Sequence, residues 1–114
     1  MNKLILATEQ GIVTCEREGD GWVLSNRSFT DQHVTSVIAR EGVMLAGTEI
    51  GVFRSDDEGG TWEESSNGLT ARHVRWMAFH PDISDFEFAG TEPAGIFVCR
   101  SMITPLSHNT AWEV

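Results

Sequence analysis

One short phrase recurs three times in this chain, and the distance between its copies limits the folds open to it. "LATEQGIVTC" begins at Leu6, "LAGTEIGVFRS" at Leu45 and "FAGTEPAGIFVCRS" at Phe88. The shared core is Ala or Gly, then Thr-Glu, a short gap, a Gly and an apolar pair. Thr8, Thr48 and Thr91 are 40 and 43 residues apart. Trp22 and Trp62 keep the step of 40, and so do His33 and His73, each followed by valine in "HVTSVIA" and "HVRWMAF". A chain that repeats at this length stacks copies of one supersecondary unit.

The local pattern says which unit. "HVTSVIA", "VMLAGT", "GVFRS" and "TWEES" are short, rich in β-branched and aromatic residues, and bounded by Gly, Asp and Asn, which is the signature of strands. None carries apolar residues at helical spacing over a dozen positions. Four strands in about 40 residues is the period of a propeller blade. The fold expected is therefore all-β, a partial β-propeller of about three four-stranded antiparallel blades. Residues 1–30 form blade one, 31–70 blade two and 71–114 blade three, in a single domain. Labelling strands A to D from the centre outward, blade one has Lys3–Ala7, Ile12–Cys15 and Gly21–Ser25 as B, C and D, and lacks its inner strand A. Blade two has Val34–Ala39, Val43–Gly47, Gly51–Ser55 and Thr61–Ser65. Blade three has Val74–His80, Phe86–Gly90, Gly95–Arg100 and Ala111–Val114. Propellers carry roughly four to eight blades, so fewer than three complete ones imply completion by a second chain or by further repeats of a larger propeller.

The stretch "SDDEGGTW", Ser55 to Trp62, sits between strands C and D of blade two. It fits Ser-x-Asp-x-Gly-x-Thr-Trp at every defined position: Ser55, Asp57, Gly59, Thr61 and Trp62. That pattern resembles the Asp-box, or bacterial neuraminidase repeat, of sialidases, sortilin-type receptors and propellers similar to photosystem II assembly factors. The resemblance covers about Leu4 to Arg100, and its motif is specific for a fold rather than an activity. Chemistry supports a structural turn. Gly59 and Gly60 permit positive φ at the reversal. An ionised Asp57 accepts backbone N–H bonds, with Ser55 and Thr61 adding more. Trp62 has an apolar body to bury between blades. A calcium loop would need six to eight oxygens, and Asp56, Asp57 and Glu58 have no later bidentate glutamate in register. In blade one the aligned residues are "CEREGDGW", with Arg17 where the aspartate should be. In blade three they are "SMITPLSH", which keeps Ser101 but has Ile103, Pro105 and His108 at the other key places, leaving Trp112 to plug the seam from a longer hairpin.

The resemblance implies two functions of different kinds. A sialidase-like glycoside hydrolase would use a tyrosine nucleophile, an acid/base aspartate and an arginine cluster, but the chain has no tyrosine, and no catalytic residue is assigned. A truncated piece of such an enzyme is the companion alternative. The preferred reading is a non-catalytic scaffold that binds a protein or a glycan on the propeller face carrying the B–C and D–A connections, away from the Asp-box turn. The candidate binding residues there are Glu9, Glu49 and Glu92 from the repeated Thr-Glu loops, with His33, Arg72 and His73 at the entrances to inner strands. A ring of glutamates favours a cation or a basic peptide.

Charge narrows the partners. With 17 acidic and 8 basic residues the net charge is −9, which repels nucleic acid and anionic membranes. The apolar run after the first lysine stops at Thr8-Glu9, too short for a signal peptide, so the chain reads as cytoplasmic. The four histidines show no zinc-ligand spacing, and no glycine loop of phosphate-binding type opens a helix; no metal or cofactor is expected. Cys15 and Cys99 fall at equivalent strand ends of blades one and three, with blade two between them, so they are expected as unpaired thiols. The open blade faces are expected to support self-association.

Overall fold

The computed structural model describes residues 2–83, 86–100 and 112–114. Among them are eleven strands and no helix. The strands form three antiparallel sheets. Sheet one orders β1 (Lys3–Thr8), β2 (Gly11–Glu18) and β3 (Gly21–Ser28) as consecutive neighbours. Sheet two does the same with β4 (Val34–Arg40), β5 (Val43–Thr48), β6 (Gly51–Ser55) and β7 (Glu63–Glu64). Sheet three comprises β8 (His73–Phe79), β9 (Phe86–Glu92), β10 (Gly95–Arg100) and β11 (Trp112–Glu113). Each sheet falls inside one of the three expected segments, and sheet one has three strands where the others have four.

Period-two alternation within strands decides which residues meet between sheets. The face of sheet one that carries Ile5, Ala7 and Ile12 packs on Val34, Ala46 and Trp62 of sheet two, joined by Phe29 from the connection. The opposite face of sheet two, with Val43, Leu45 and Val52, packs on Val74, Met77, Ala89, Phe97 and Cys99 of sheet three. β5 is therefore covered on both sides, and all six of its residues are buried. This is why "VMLAGT" reads as a continuous apolar run rather than an alternation. Each fully buried Leu or Val here contributes about 1.5–3 kcal/mol. Gly47 is required by closeness: a Cβ there would stand 2.7 Å from Val74 Cγ1.

Several sequence expectations need correcting. β2 runs on to Glu18 and β3 to Ser28, three residues past the expected ends at Cys15 and Ser25. The outer strand of sheet two is not Thr61–Ser65 but only Glu63–Glu64, paired with Arg54 and Phe53. Thr61 is held inside the preceding turn by Asp57. At the other end the Ser66 hydroxyl takes over the ladder, accepting from Val52 N at 2.9 Å and donating to Val52 O at 3.1 Å. Gly60, expected at positive φ, is not there: the left-handed residues of the turn are Glu58 (φ 58°) and Gly59 (φ 92°). Gly60 is small for a different reason, because a Cβ on it would approach Asp57 Oδ2 to 3.1 Å. In the last sheet, Ala111 and the stretch with Ser101, Ile103, Pro105 and His108 lie outside the described residues. Trp112 is described, 2% exposed, and its Nε1 donates to Ser65 O at 2.8 Å.

Candidate functional site

The three sheets share two ends. At one end lie the turns Arg40–Val43 and Ser55–Glu63. At the other lie the Thr-Glu turns together with the entries to β4 and β8. The first end is built to hold a turn. Asp57 Oδ1 accepts from Ser55 Oγ (2.8 Å) and from Thr61 N–H (2.8 Å), and Oδ2 accepts from Thr61 Oγ1 (2.7 Å). Ser55 Oγ also accepts from Gly59 N–H at 2.8 Å. The Thr61 backbone N–H, then the hydroxyls of Thr61 and Ser55, lower the Asp57 carboxyl to a pKa of about 2. Both of its oxygens are engaged within the turn. Trp62 donates Nε1 to Gly59 O at 3.2 Å and sets its ring against Phe29, 5.3 Å between centroids. Lys3 reaches across from β1 to Glu58 at 3.3 Å. An apolar cleft of about 490 Å³ opens beside this end between Leu4, Ile5 and Val37–Met44.

The other end carries the convergent polar groups. Each repeated threonine closes its own turn. Thr8 Oγ1 donates to Gly11 O at 2.8 Å and accepts from Gln10 N–H. Thr48 Oγ1 does the same with Gly51 O (2.9 Å) and Ile50 N–H. Thr91 Oγ1 donates to Pro93 O at 3.0 Å. The threonines are thus turn chemistry, and the glutamate after each one is left exposed at the sheet end. Two of these glutamates meet the histidine one strand away: His33 Nδ1 stands 3.5 Å from Glu49 Oε1, and His73 Nδ1 4.0 Å from Glu92 Oε2. Both gaps exceed a good hydrogen bond, so neither glutamate is held by a direct bond to its histidine.

Between sheets these groups line a cleft of about 600 Å³. Glu9, Glu49, His33 and His73 all border it, with Thr35 and Arg75. Glu92 stands behind it, tied to Arg75 at 3.0 Å. Arg72 is not brought there; its guanidinium bonds Glu64 at 2.7 Å. Glu9 has no ion-pair partner among the described residues, since sheet one has no strand corresponding to β4 or β8 to supply a histidine.

Thr35 and Arg75 border the cleft without being marked by the repeated phrases. The register slips between Val34 and Ser36 in β4 and between Val74 and Trp76 in β8. Each slip is a bulge, which re-aims the extra side chain. Thr35 and Arg75 are those extra residues, one repeat apart. The step of 40 that aligned the histidines would also have aligned them, but nothing in their residue types announces a bulge. Thr35 Oγ1 lies 2.6 Å from Val74 O and 3.1 Å from Gly47 O, so it pins sheet two to sheet three beneath the cleft.

Among the described residues, no three His, Cys, Asp or Glu side chains converge on a metal position, and no helix is long and apolar enough to cross a membrane. Cys15 and Cys99 are free thiols. Burial, then the nearby Glu87 charge, pushes Cys99 up to about 12, so it is an unreactive thiol. Compared with models of known protein families and with curated proteins, the chain matches none. The functional reading therefore rests on the cleft itself.

Proposed function

We propose that this chain is a non-catalytic partial β-propeller of the Asp-box type that acts as a binding scaffold, and that its cleft takes a basic segment of another protein. The observation that carries this reading is the repeated placement of exposed Thr-Glu carboxylates beside histidines at one end of the sheets, around an open cleft. A repeat of about 40 residues, three antiparallel sheets and the Ser55–Trp62 turn support the propeller, with sheets one to three as its blades. Glu9 and Glu49 face the cleft while Arg75 is neutralised by Glu92. With neutral histidines the cleft is therefore net negative, and lysine or arginine side chains complement it. The free thiols suit a reducing cytoplasmic setting.

Calorimetric titration with an oligolysine peptide tests the reading. Binding should weaken with added salt, and Glu9→Gln/Glu49→Gln should weaken it by about tenfold or more. Asp57→Asn, at the far end, should bind as the parent does. Equal binding by the double variant overturns the cleft assignment. Hydrolysis of a sialoside that persists in Asp57→Ala and disappears in Glu9→Gln or Glu49→Gln overturns the non-catalytic reading.

A further inference from the structure

Among the described residues, the two sheet-to-sheet contacts are of one kind. The face of the earlier sheet that bears Ile5 and Ile12, or Leu45 and Val52, is covered by the face of the next sheet that bears Val34 and Ala46, or Val74 and Ala89. Among the described residues, two faces remain uncovered, one of each kind. On sheet three, register places Ile96 with Gly90 and Trp76, and Val98 with Phe88 and Ala78. These are the counterparts of the covered face of sheet two. Yet Val52 and Leu45 are each 0% exposed, whereas Ile96 is 61% exposed and Trp76 46%. On sheet one, register places Leu6 with Val13 and Cys15 with Leu24. Here Leu6 is 40% exposed, whereas its counterpart Ala46 is fully buried. Trp22 on this sheet is exposed, one repeat before the seam-filling Trp62.

We propose that the uncovered face of sheet three, around Trp76, Phe88 and Ile96, packs against the uncovered face of sheet one, around Leu6, Val13 and Trp22, of a second copy of this chain. The argument is continuity with the contacts already made inside the molecule. The second copy offers the one kind of surface that sheet three lacks, at the same strand spacing, with Leu6, Val13, Leu24 and Trp22 set beside Arg17 and Arg27. The contact is heterologous, head to tail, so it closes when two copies supply both faces to each other and otherwise extends. β8, β9 and β10 are seven, seven and six residues long. At ordinary strand spacing they present a face of about 300 Å², and a closed pair with two such contacts buries about 1,200 Å², the lower bound for a stable interface. An apolar contact of this kind survives high salt, which also screens the repulsion between two chains of net charge −9.

Sedimentation of the full chain at 1–100 µM tests the pairing through complementation, with circular dichroism confirming that each variant keeps its strands. The parent should sediment at twice the chain mass of 12.6 kDa or above. Ile96→Asp and Leu6→Asp, both at exposed positions, should each sediment as monomers. Mixed in equal amounts they should recover a heterodimer and nothing larger, weaker than the parent and seen only toward 100 µM, because one intact contact with about half the buried area remains. A parent that stays monomeric at 100 µM overturns the proposal and assigns the faces to a different occupant. Assembly that survives either single substitution overturns it too, because a like-to-like contact uses only one of the two faces. The pairing does not involve the cleft, so a monomeric parent that still binds oligolysine would refute the pairing and leave the cleft's function standing.

Discussion

Trp22 and Trp62 sit one repeat apart and meet opposite surroundings. Trp62 leaves a turn locked by Asp57, lays its ring on Phe29 and joins the apolar layer between sheets one and two. Trp22 leaves a two-residue hairpin, Gly19-Asp20, and stands 42% exposed under the Arg17 guanidinium, 5.9 Å from its ring centroid. The difference is not in the tryptophan but in what faces it. A preceding sheet covers Trp62; no preceding sheet covers Trp22. Trp112 extends the comparison to sheet three, where it is 2% exposed in the second seam.

The most severe way to break this comparison is to truncate the tryptophans. Trp112→Ala removes a buried ring and leaves Ser65 O without its indole donor, and should cost about 3–5 kcal/mol. Trp62→Ala, at a half-buried ring, should cost roughly half that. Trp22→Ala in dilute, monomeric protein should stay within about 0.5 kcal/mol. Urea midpoints measured side by side decide it. Equal losses at Trp22 and Trp62 would mean that coverage by a neighbouring sheet is not what separates them.

A smaller effect separates the two turns by their response to acid. The Asp57 carboxyl titrates at about 2 in the folded chain against an ordinary 3.8. The unfolded chain therefore takes up this proton first as pH falls. The stabilisation is complete above pH 4 and is lost as pH drops toward 2. Sheet one contributes nothing of the kind, because Arg17 stands at the aligned position. Urea midpoints at pH 5, 3 and 2 should fall in the parent and fall less steeply in Asp57→Asn. Parallel profiles for the two proteins would show that the turn's hydrogen bonds do not distinguish the ionised carboxylate.

Much of this architecture can be read before folding, and the exceptions share a cause. β5, β6 and β10 lie within a residue of the strands expected from β-branched runs and flanking glycines, because local propensity and burial agree there. Trp62 and its turn are legible because five defined positions carry a hydrogen-bond plan in their residue types. The plan's detail was less legible. Positive φ at Glu58, and Gly60's service as room for a carboxylate, follow from the three-dimensional path of the loop and not from composition. In the cleft, Glu9, Glu49, His33 and His73 could be nominated from the repeat step alone. Arg75 could not, because a bulge is set by how β8 must bend against β9. Arg72 looked equivalent to a cleft residue, yet Glu64 on the outer strand of sheet two holds it elsewhere.

The finest test asks whether residue types alone separate the two turns. Sheet one uses as ladder what sheet two uses as loop: Glu16, Arg17 and Glu18 pair with Val23, Trp22 and Gly21. Their counterparts Asp56, Asp57 and Glu58 pair with nothing on β7, which begins only at Glu63. Writing the sheet-two pattern into sheet one therefore exchanges strand pairs for side-chain hydrogen bonds, and the net change should stay within about 0.5 kcal/mol. The acid profile is the sharper readout. Cys15→Ser/Arg17→Asp/Gly21→Thr should leave acid sensitivity unchanged, because Asp20 still puts a Cβ where Gly60 leaves space for the carboxylate. Adding Asp20→Gly should steepen the loss of stability between pH 4 and 2, as a second carboxylate gains the bonds that Asp57 has. If the fourfold variant titrates like the parent, the β2–β3 ladder outweighs the motif. The difference between the turns would then lie in the strand pairing around them rather than in the eight residues themselves.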